Sequence, residues 1–347
     1  MVTLGGDCHK RTHTLVAVDD NGRELGTKTV AAVAIGHLEA LRWASQWVER
    51  RWALENCRHL SRRLEADLLL AGEIVVQVSP KLMAGVRRSS REWGKSDPID
   101  ALAVARAALR ESELPIARLE GTSREVKLLL DHRDDLVGER TRVQNRLRWH
   151  IHELEPGFDV PARSLDRKVV LNRVANALAV HRGVAADIAL ELLRRIRELT
   201  ARINELERQI HVMVTELAPN LLELDGCAAL GAAKLIGETA SICRFRTPAQ
   251  FAMHNGSAPI PVWSGSHERH RLNRGGNRQL NAALHRIAIT QMRVGGRGHD
   301  YVQHRQTSGD TKREAIRALR RRISDEVFRR MWQDHLAAAT VQQSAAA

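Results

Sequence analysis

The chain has 347 residues, 54 Lys+Arg against 41 Asp+Glu, and a formal net charge of +13, which is long for one core and strongly basic. The charge calls for a polyanionic partner, with nucleic acid ahead of a membrane surface, because Lys and Arg on phosphates release condensed counterions. No apolar run of about 18 residues and no signal-peptide pattern occurs, so the reading is cytoplasmic and without a membrane partner; four scattered cysteines without a C-x-x-C pair argue against disulfides or zinc.

The first elements alternate in the manner of strands. Residues 2–7 (VTLGGD) and 13–20 (HTLVAVDD) precede Asn21-Gly22, a hairpin signal, and then RELGTKTV, which predicts a three-stranded meander. An amphipathic helix over 36–50, a strand RWALEN over 51–56, a helix ended by Gly72 and a buried strand EIVVQVS over 73–79 follow. A basic loop leads into a helix starting near Pro98. The order βββ-α-β-α-β-α predicts an α/β domain over 1–122, a ribonuclease-H-like mixed sheet flanked by helices.

Residues 123–218 read as long antiparallel helices. Ile188, Leu192, Ile196, Leu199, Ile203, Leu206 and Ile210 recur at steps of three and four, the seam of a coiled coil that serves as spacer, dimerisation arm or nucleic-acid arm. Residues 219–337 read as a small, mostly helical domain. It opens on a helix-hairpin-helix-like segment with Gly226 and Gly231 bracketing a turn, carries a long loop over 254–280, and closes with helices over 277–294 and 311–335. The tail 338–347 is expected to be disordered.

Four acids stand out. In KSDPIDA, Asp97 as N-cap would put Pro98 and Asp100 at the first and third helical positions, the frame of a capping box. Asp7 ends the first strand and Glu55 the fourth, which are neighbours in a ribonuclease-H-like sheet. Carboxylates from two strand ends and one helix start can hold two divalent ions through oxygen, about 4 Å apart as in phosphoryl transfer. Each acid has a plainer reading, Asp97 and Asp100 as capping residues, Asp7 as a strand-terminating turn residue and Glu55 as a lone polar group beside Asn56; Asp19 and Asp20, beside Asn21-Gly22, are turn formers.

GGDCHK, ENC and KSDPIDA resemble the G-x-D-x-x-K, E-x-[TC] and K-[ST]-D-x-x-D-A motifs of the IS110 family of insertion-sequence transposases, the DEDD type. RFRTPAQFAMHNGSAP, SG and RGGNRQLNAALHRIA resemble that family's C-terminal domain. Cys8-His9 stands where the family often has an apolar residue and serine. The resemblance implies a RuvC-like domain whose Asp7, Glu55, Asp97 and Asp100 bind Mg²⁺, and a nucleophilic serine that forms a phosphoserine link to DNA. Gly256, Pro259 and Ser264-Gly265 match the serine-loop pattern, so Ser264 takes that role, while Ser257 reads as a hydroxyl serving a loop turn and Ser266 is a neighbouring serine two residues beyond. It further implies a bridge RNA that pairs with donor and target DNA, and a homo-oligomer, dimeric and tetrameric at synapsis, in which one subunit's serine meets another's acids.

Basic residues near these motifs are the candidate nucleic-acid contacts. They are Lys10, the strip Lys81, Arg87, Arg88, Arg91 and Lys95, the helical set Arg142, Arg146, Arg148 and Trp149, and Arg269, Arg271, Arg274 and Arg278 around the serine. Two other readings fit the charge: a RuvC-like nuclease using metal-activated water, and a catalytically inactive nucleic-acid-binding protein. A tyrosine recombinase would need Tyr301, which lacks an R-H-x-x-R frame.

Overall fold

The computed structural model describes residues 1–55, 60–79, 82–83, 96–111, 114–117, 121–265 and 267–346, with only the backbone at 264, 267–269 and 341–346. Two compact units emerge, Met1–Leu119 and Glu120–Ala347. The first holds β1 (Val2–Cys8), β2 (Thr12–Val18), β3 (Glu24–Ala31), α1 (Ala34–Ala44), β4 (Arg50–Glu55), α2 (Arg62–Leu70), β5 (Val75–Val78) and α3 (Asp97–Arg110). The five strands form one mixed sheet in the order β3-β2-β1-β4-β5. β2 runs antiparallel to β1 and β3, while β4 runs parallel to both β1 and β5. The first and fourth strands are therefore neighbours, as the ribonuclease-H-like reading requires.

β1 and β2 are buried on both faces, whereas β3, at the sheet edge, exposes most of its residues. At the β2–β3 turn, Asp19 Oδ1 accepts hydrogen bonds from the amides of Asn21 and Arg23 at 2.9 and 2.8 Å, and Gly22 takes φ of +75°. α1 stops at Ala44, short of the predicted residue 50, and Trp47 folds back so that its amide donates to the Ala44 carbonyl.

What brings α3 onto the sheet is small residues on both sides. α3 buries Ala101, Ala103, Ala105, Ala107 and Ala108, and opposite them sits Gly5. A Cβ on Gly5 would lie 2.2 Å from the Ala101 carbonyl oxygen and 2.5 Å from the Ala105 amide nitrogen. Gly5→Ala must push α3 off the strand, and should cost about 1–3 kcal/mol, as overpacking does. It should also separate the acids at the ends of β1 and α3. Chemical denaturation checks the first effect and Mn²⁺ affinity the second.

The second unit begins with α4 (Thr122–Leu154), α5 (Lys168–Leu178) and α6 (Val184–Leu217). α4 and α6 are antiparallel: Arg133 reaches Glu207, Glu139 meets Arg195, and Arg140 Nη1 donates to Thr200 Oγ1 at 3.2 Å. The seam of α6 is buried from Ile196 through Ile210 as predicted, but toward its N-terminus the buried positions are Ala189 and Leu193. Ile188 is exposed and Leu192 only partly buried. The reason is α5, an additional helix whose Leu171, Val174 and Leu178 join that core and rotate the buried face.

At the other end of the pair, Val126, Leu130, Ile210 and Val214 share a core with the C-terminal helices. These are α7 (Pro219–Leu222), α8 (Ala229–Thr239), α9 (Pro248–Asn255), α10 (Arg278–Val294), α11 (Arg297–Thr307) and α12 (Lys312–Ala346). Gly226, at φ of +80°, turns the chain into α8, but Gly231 lies inside that helix and brackets nothing. The expected loop over 254–280 contains an antiparallel ribbon, β6 (Pro259–Ser264) and β7 (His267–Leu272). The tail expected to be disordered continues α12 to Ala346, in keeping with its alanine content. Among the described residues, no helix is long and apolar enough to cross a membrane.

Candidate metal centre and serine hairpin

In the parallel ladder Gly6 pairs with Leu54, so Asp7 and Glu55 follow as the next residues on adjacent strands. Asp7 is buried and Glu55 half-buried. α3 delivers Asp97 and Asp100 in its first turn, where the positive end of the helix dipole favours carboxylates. The capping box is overturned by one residue: Ser96, with extended backbone, occupies the N-cap, and Asp97 and Pro98 are already helical. Asp100 is buried, and its amide donates to the Ser96 carbonyl at 3.0 Å.

One further residue joins the acids. His9 Nε2 lies 3.0 Å from Asp7 Oδ2 and 3.3 Å from Asp97 Oδ1. One ligand atom from each of Asp7, His9 and Asp97 fits within a 4.8 Å cluster. Burial pushes the Asp7 carboxyl above its ordinary range, and the nearby carboxylates of Asp100 and Asp97 push it further, against the pull of His9. His9 is raised on balance, because attraction to Asp7 and Asp97 outweighs the effect of burial. Carboxylates that converge on Asp7 and raise its protonation mark a site short of positive charge, which suits a divalent cation with oxygen ligands. Sequence reasoning passed over His9 as a ligand, since it lies in the turn just beyond β1 and only the fold sets its ring against Asp97.

The serine ribbon is anchored at its base. α9 ends at Gly256, φ +74°, and a Cβ on Gly276 would fall 2.3 Å from the Gly256 nitrogen and 2.4 Å from its Cα. The two glycines thus let both ends of the ribbon meet backbone to backbone. Asn255, fully buried, donates through Nδ2 to Ser324 Oγ at 2.8 Å and accepts the Ser257 amide at 3.0 Å. The amide of Asn277 donates to the His254 carbonyl at 2.7 Å, and its Nδ2 to Glu238 Oε2 at 2.8 Å. Lys127 of α4 pairs with Glu238 in turn.

At the far end, Ser264 pairs with His267 and Gly265 turns the chain at φ +60°. Ser257, read as a turn-forming hydroxyl, is not one: its Oγ is buried without a hydrogen-bond partner among the described residues, and Asn255 forms the turn instead. Trp263, next to Ser264 and unremarked in the sequence, is 67% exposed.

Of the basic candidates, Lys10, Arg142, Arg146, Arg271, Arg274 and Arg278 are exposed. Arg148 is committed within the protein, donating to the carbonyls of Val160 and Pro161 at 2.8 and 2.9 Å. Trp149 is 75% exposed and lines a shallow cleft with Asn145, Arg148 and His152. Lys81, Arg87, Arg88, Arg91 and Lys95 lie outside the described residues, as does the side chain of Arg269.

Comparison with known proteins places this chain. A DEDD transposase model of the IS110 type matches residues 4–156, and the model of the IS116/IS110/IS902 transposase family matches residues 218–303. An insertion element IS116 protein of 44.8 kDa from Streptomyces clavuligerus is 26% identical over 94% of both chains. An insertion element IS900 protein of 42 kDa from Mycobacterium paratuberculosis is 23% identical over 96% of both. Among solved structures, T. thermophilus RuvC in complex with a Holliday junction substrate matches 34% of this chain and 99% of its own, with 17% identity and a TM-score of 0.27. The matches to transposases at both ends of the chain define an enzyme, a DNA transposase. The chain belongs to the IS116/IS110/IS902 family.

Proposed function

We propose that this transposase cuts and rejoins DNA through a phosphoserine intermediate, with Ser264 as nucleophile, Mg²⁺ held by Asp7, Glu55, Asp97 and Asp100, and a bridge RNA choosing the sites. The observation that carries the reading is the convergence of Asp7, Asp97 and Asp100 where β1 ends and α3 begins. Two bound Mg²⁺ ions would supply electrostatic stabilisation for charge developing on the phosphate oxygens. The carboxylates hold their positions because Gly5 seats α3 on the strand that carries Asp7.

Ser264 would present its hydroxyl from the tip of a ribbon whose base is locked by Asn255, Gly256 and Gly276. Its Oγ would give up its proton and form a bond to phosphorus as the DNA P–O bond breaks, and the departing strand oxygen would take up a proton in exchange, so that the ester is transferred without net proton change. A strand hydroxyl of the partner DNA then attacks the same phosphorus and releases the serine. The acids and serine that meet are contributed by different protomers, in a dimer that becomes a tetramer at synapsis, so cleavage waits for assembly.

Exposed Arg271, Arg274 and Arg278 would grip DNA phosphates near Ser264, and Arg142, Arg146 and Trp149 would engage RNA by charge and stacking. Lys10 and the strip of Lys81, Arg87, Arg88, Arg91 and Lys95 would contact backbone phosphates beside the acids. The test is recombination in vitro with purified protein, Mg²⁺, donor and target DNA, with and without RNA transcribed from the element's flank. Recombinant product is expected only with RNA; equal product without it overturns the guided reading.

A further inference from the structure

Beside Asp7 and Asp97 stands a residue that the DEDD pattern does not include. His9 belongs to the turn between β1 and β2, where its amide donates to the Thr12 carbonyl at 3.0 Å. The adjacent pair Cys8 and His13 closes the antiparallel register. The ring is therefore carried on a backbone fixed on both sides. Its Nε2 lies between Asp7 Oδ2 and Asp97 Oδ1, at 3.0 and 3.3 Å.

Those separations carry information. Adjacent donors around a six-coordinate ion with bonds of about 2.1 Å stand about 3.0 Å apart, the hypotenuse of a right angle between two such bonds. The ring nitrogen makes a hydrogen bond to Asp7 Oδ2 at this spacing, and the same separations match neighbouring donor positions in such a coordination shell. Asp7 is nearly buried, whereas the side chains of His9 and Asp97 are half exposed, so the shared corner is open to an ion.

We propose that His9 is a direct ligand of the divalent ion through Nε2, giving this transposase a mixed imidazole–carboxylate centre that favours Mn²⁺ over Mg²⁺ more than carboxylates alone would. The inference rests on the metal-site reading above and adds to it the identity of a ligand and a metal preference. Mg²⁺ keeps to oxygen donors and holds its waters, while imidazole nitrogen raises affinity for transition ions. Ligation uses the Nε2 lone pair, with the ring proton on Nδ1.

The experiment uses the full chain with Mn²⁺ alone as probe, followed by pulsed electron paramagnetic resonance for nitrogen coupling and by titration for affinity. Wild-type protein should show ¹⁴N modulation of the bound ion, and His9→Ser should lose it. The same substitution should weaken Mn²⁺ binding on the order of tenfold or more and Mg²⁺ binding far less. His9 is an exposed turn residue, so the variant keeps its fold, which circular dichroism verifies. Mn²⁺ bound without nitrogen coupling, at an affinity that Asp7→Asn abolishes, overturns the role of His9 and leaves the carboxylate site standing. Mn²⁺ binding that neither His9→Ser nor Asp7→Asn alters overturns both.

Discussion

Replacing Ser264 with alanine should lower strand exchange by about a thousandfold or more, the scale seen when a covalent nucleophile is removed, while DNA binding is unchanged. The measurement is trapping of a protein–DNA adduct that survives denaturing electrophoresis, alongside a binding assay on the same DNA. Wild type should give the adduct and Ser264→Ala none. Ser257→Ala should retain it, because Ser257 sits at the base of the ribbon with its hydroxyl turned inward, away from the tip that carries Ser264. Cleavage that persists in Ser264→Ala would support hydrolysis by activated water and end the serine route. The expected size of the loss follows from the proposed mechanism, in which the acids and Arg271, Arg274 and Arg278 would still position the phosphodiester while no serine would attack it.

Asp7→Asn should act in opposite directions on activity and stability. Strand cleavage should fall by about a hundredfold or more, since even outer partners of metal ligands are worth ten- to a hundredfold. The metal-free protein should nevertheless melt at a higher temperature near neutral pH. Burial raises the Asp7 carboxyl, and Asp100 and Asp97 add to that. A carboxyl raised in the folded state binds more protons there than in the unfolded chain, so stability declines as pH rises from the unfolded value through the folded one. At neutral pH the ionised group is a net cost, and asparagine removes it. The difference in Tm between wild type and variant should shrink on acidification below the unfolded value, and also on adding divalent metal, which relieves the repulsion in the wild type. A variant less stable than wild type at every pH would mean that Asp7 is a structural residue.

The sheet was legible because its strands announce themselves: strand-like alternation in β1 and β2, an Asn-Gly turn, and the order of elements that follows. The acids were legible as a set because strand ends and a helix start are marked by composition. Less legible was the capping of α3, where Ser96 rather than Asp97 takes the N-cap; serine and aspartate serve equally there, and only backbone angles decide between them. The seam of α6 drifted at its N-terminus because periodicity is a property of one helix, whereas the buried face depends on its neighbours, here α5. The segment over 254–280 reads as a loop from its Gly, Pro and Ser content, yet six residue pairs zip it into a ribbon. Strand pairing depends on a partner, and neither β6 nor β7 has an alternation strong enough to show it alone.

By itself the sequence determined the family, the basic character and the order of elements, and it nominated the four acids, since each is written in local pattern or in motif. Tertiary structure alone decided that Gly5 and the alanines of α3 draw the acids together, that Asn255 and Gly276 clamp the serine ribbon, and that His9 reaches Asp97. These are contacts across elements separated by tens of residues. They arise from close packing of small side chains and from which buried polar groups find partners, and no local window of the chain records either.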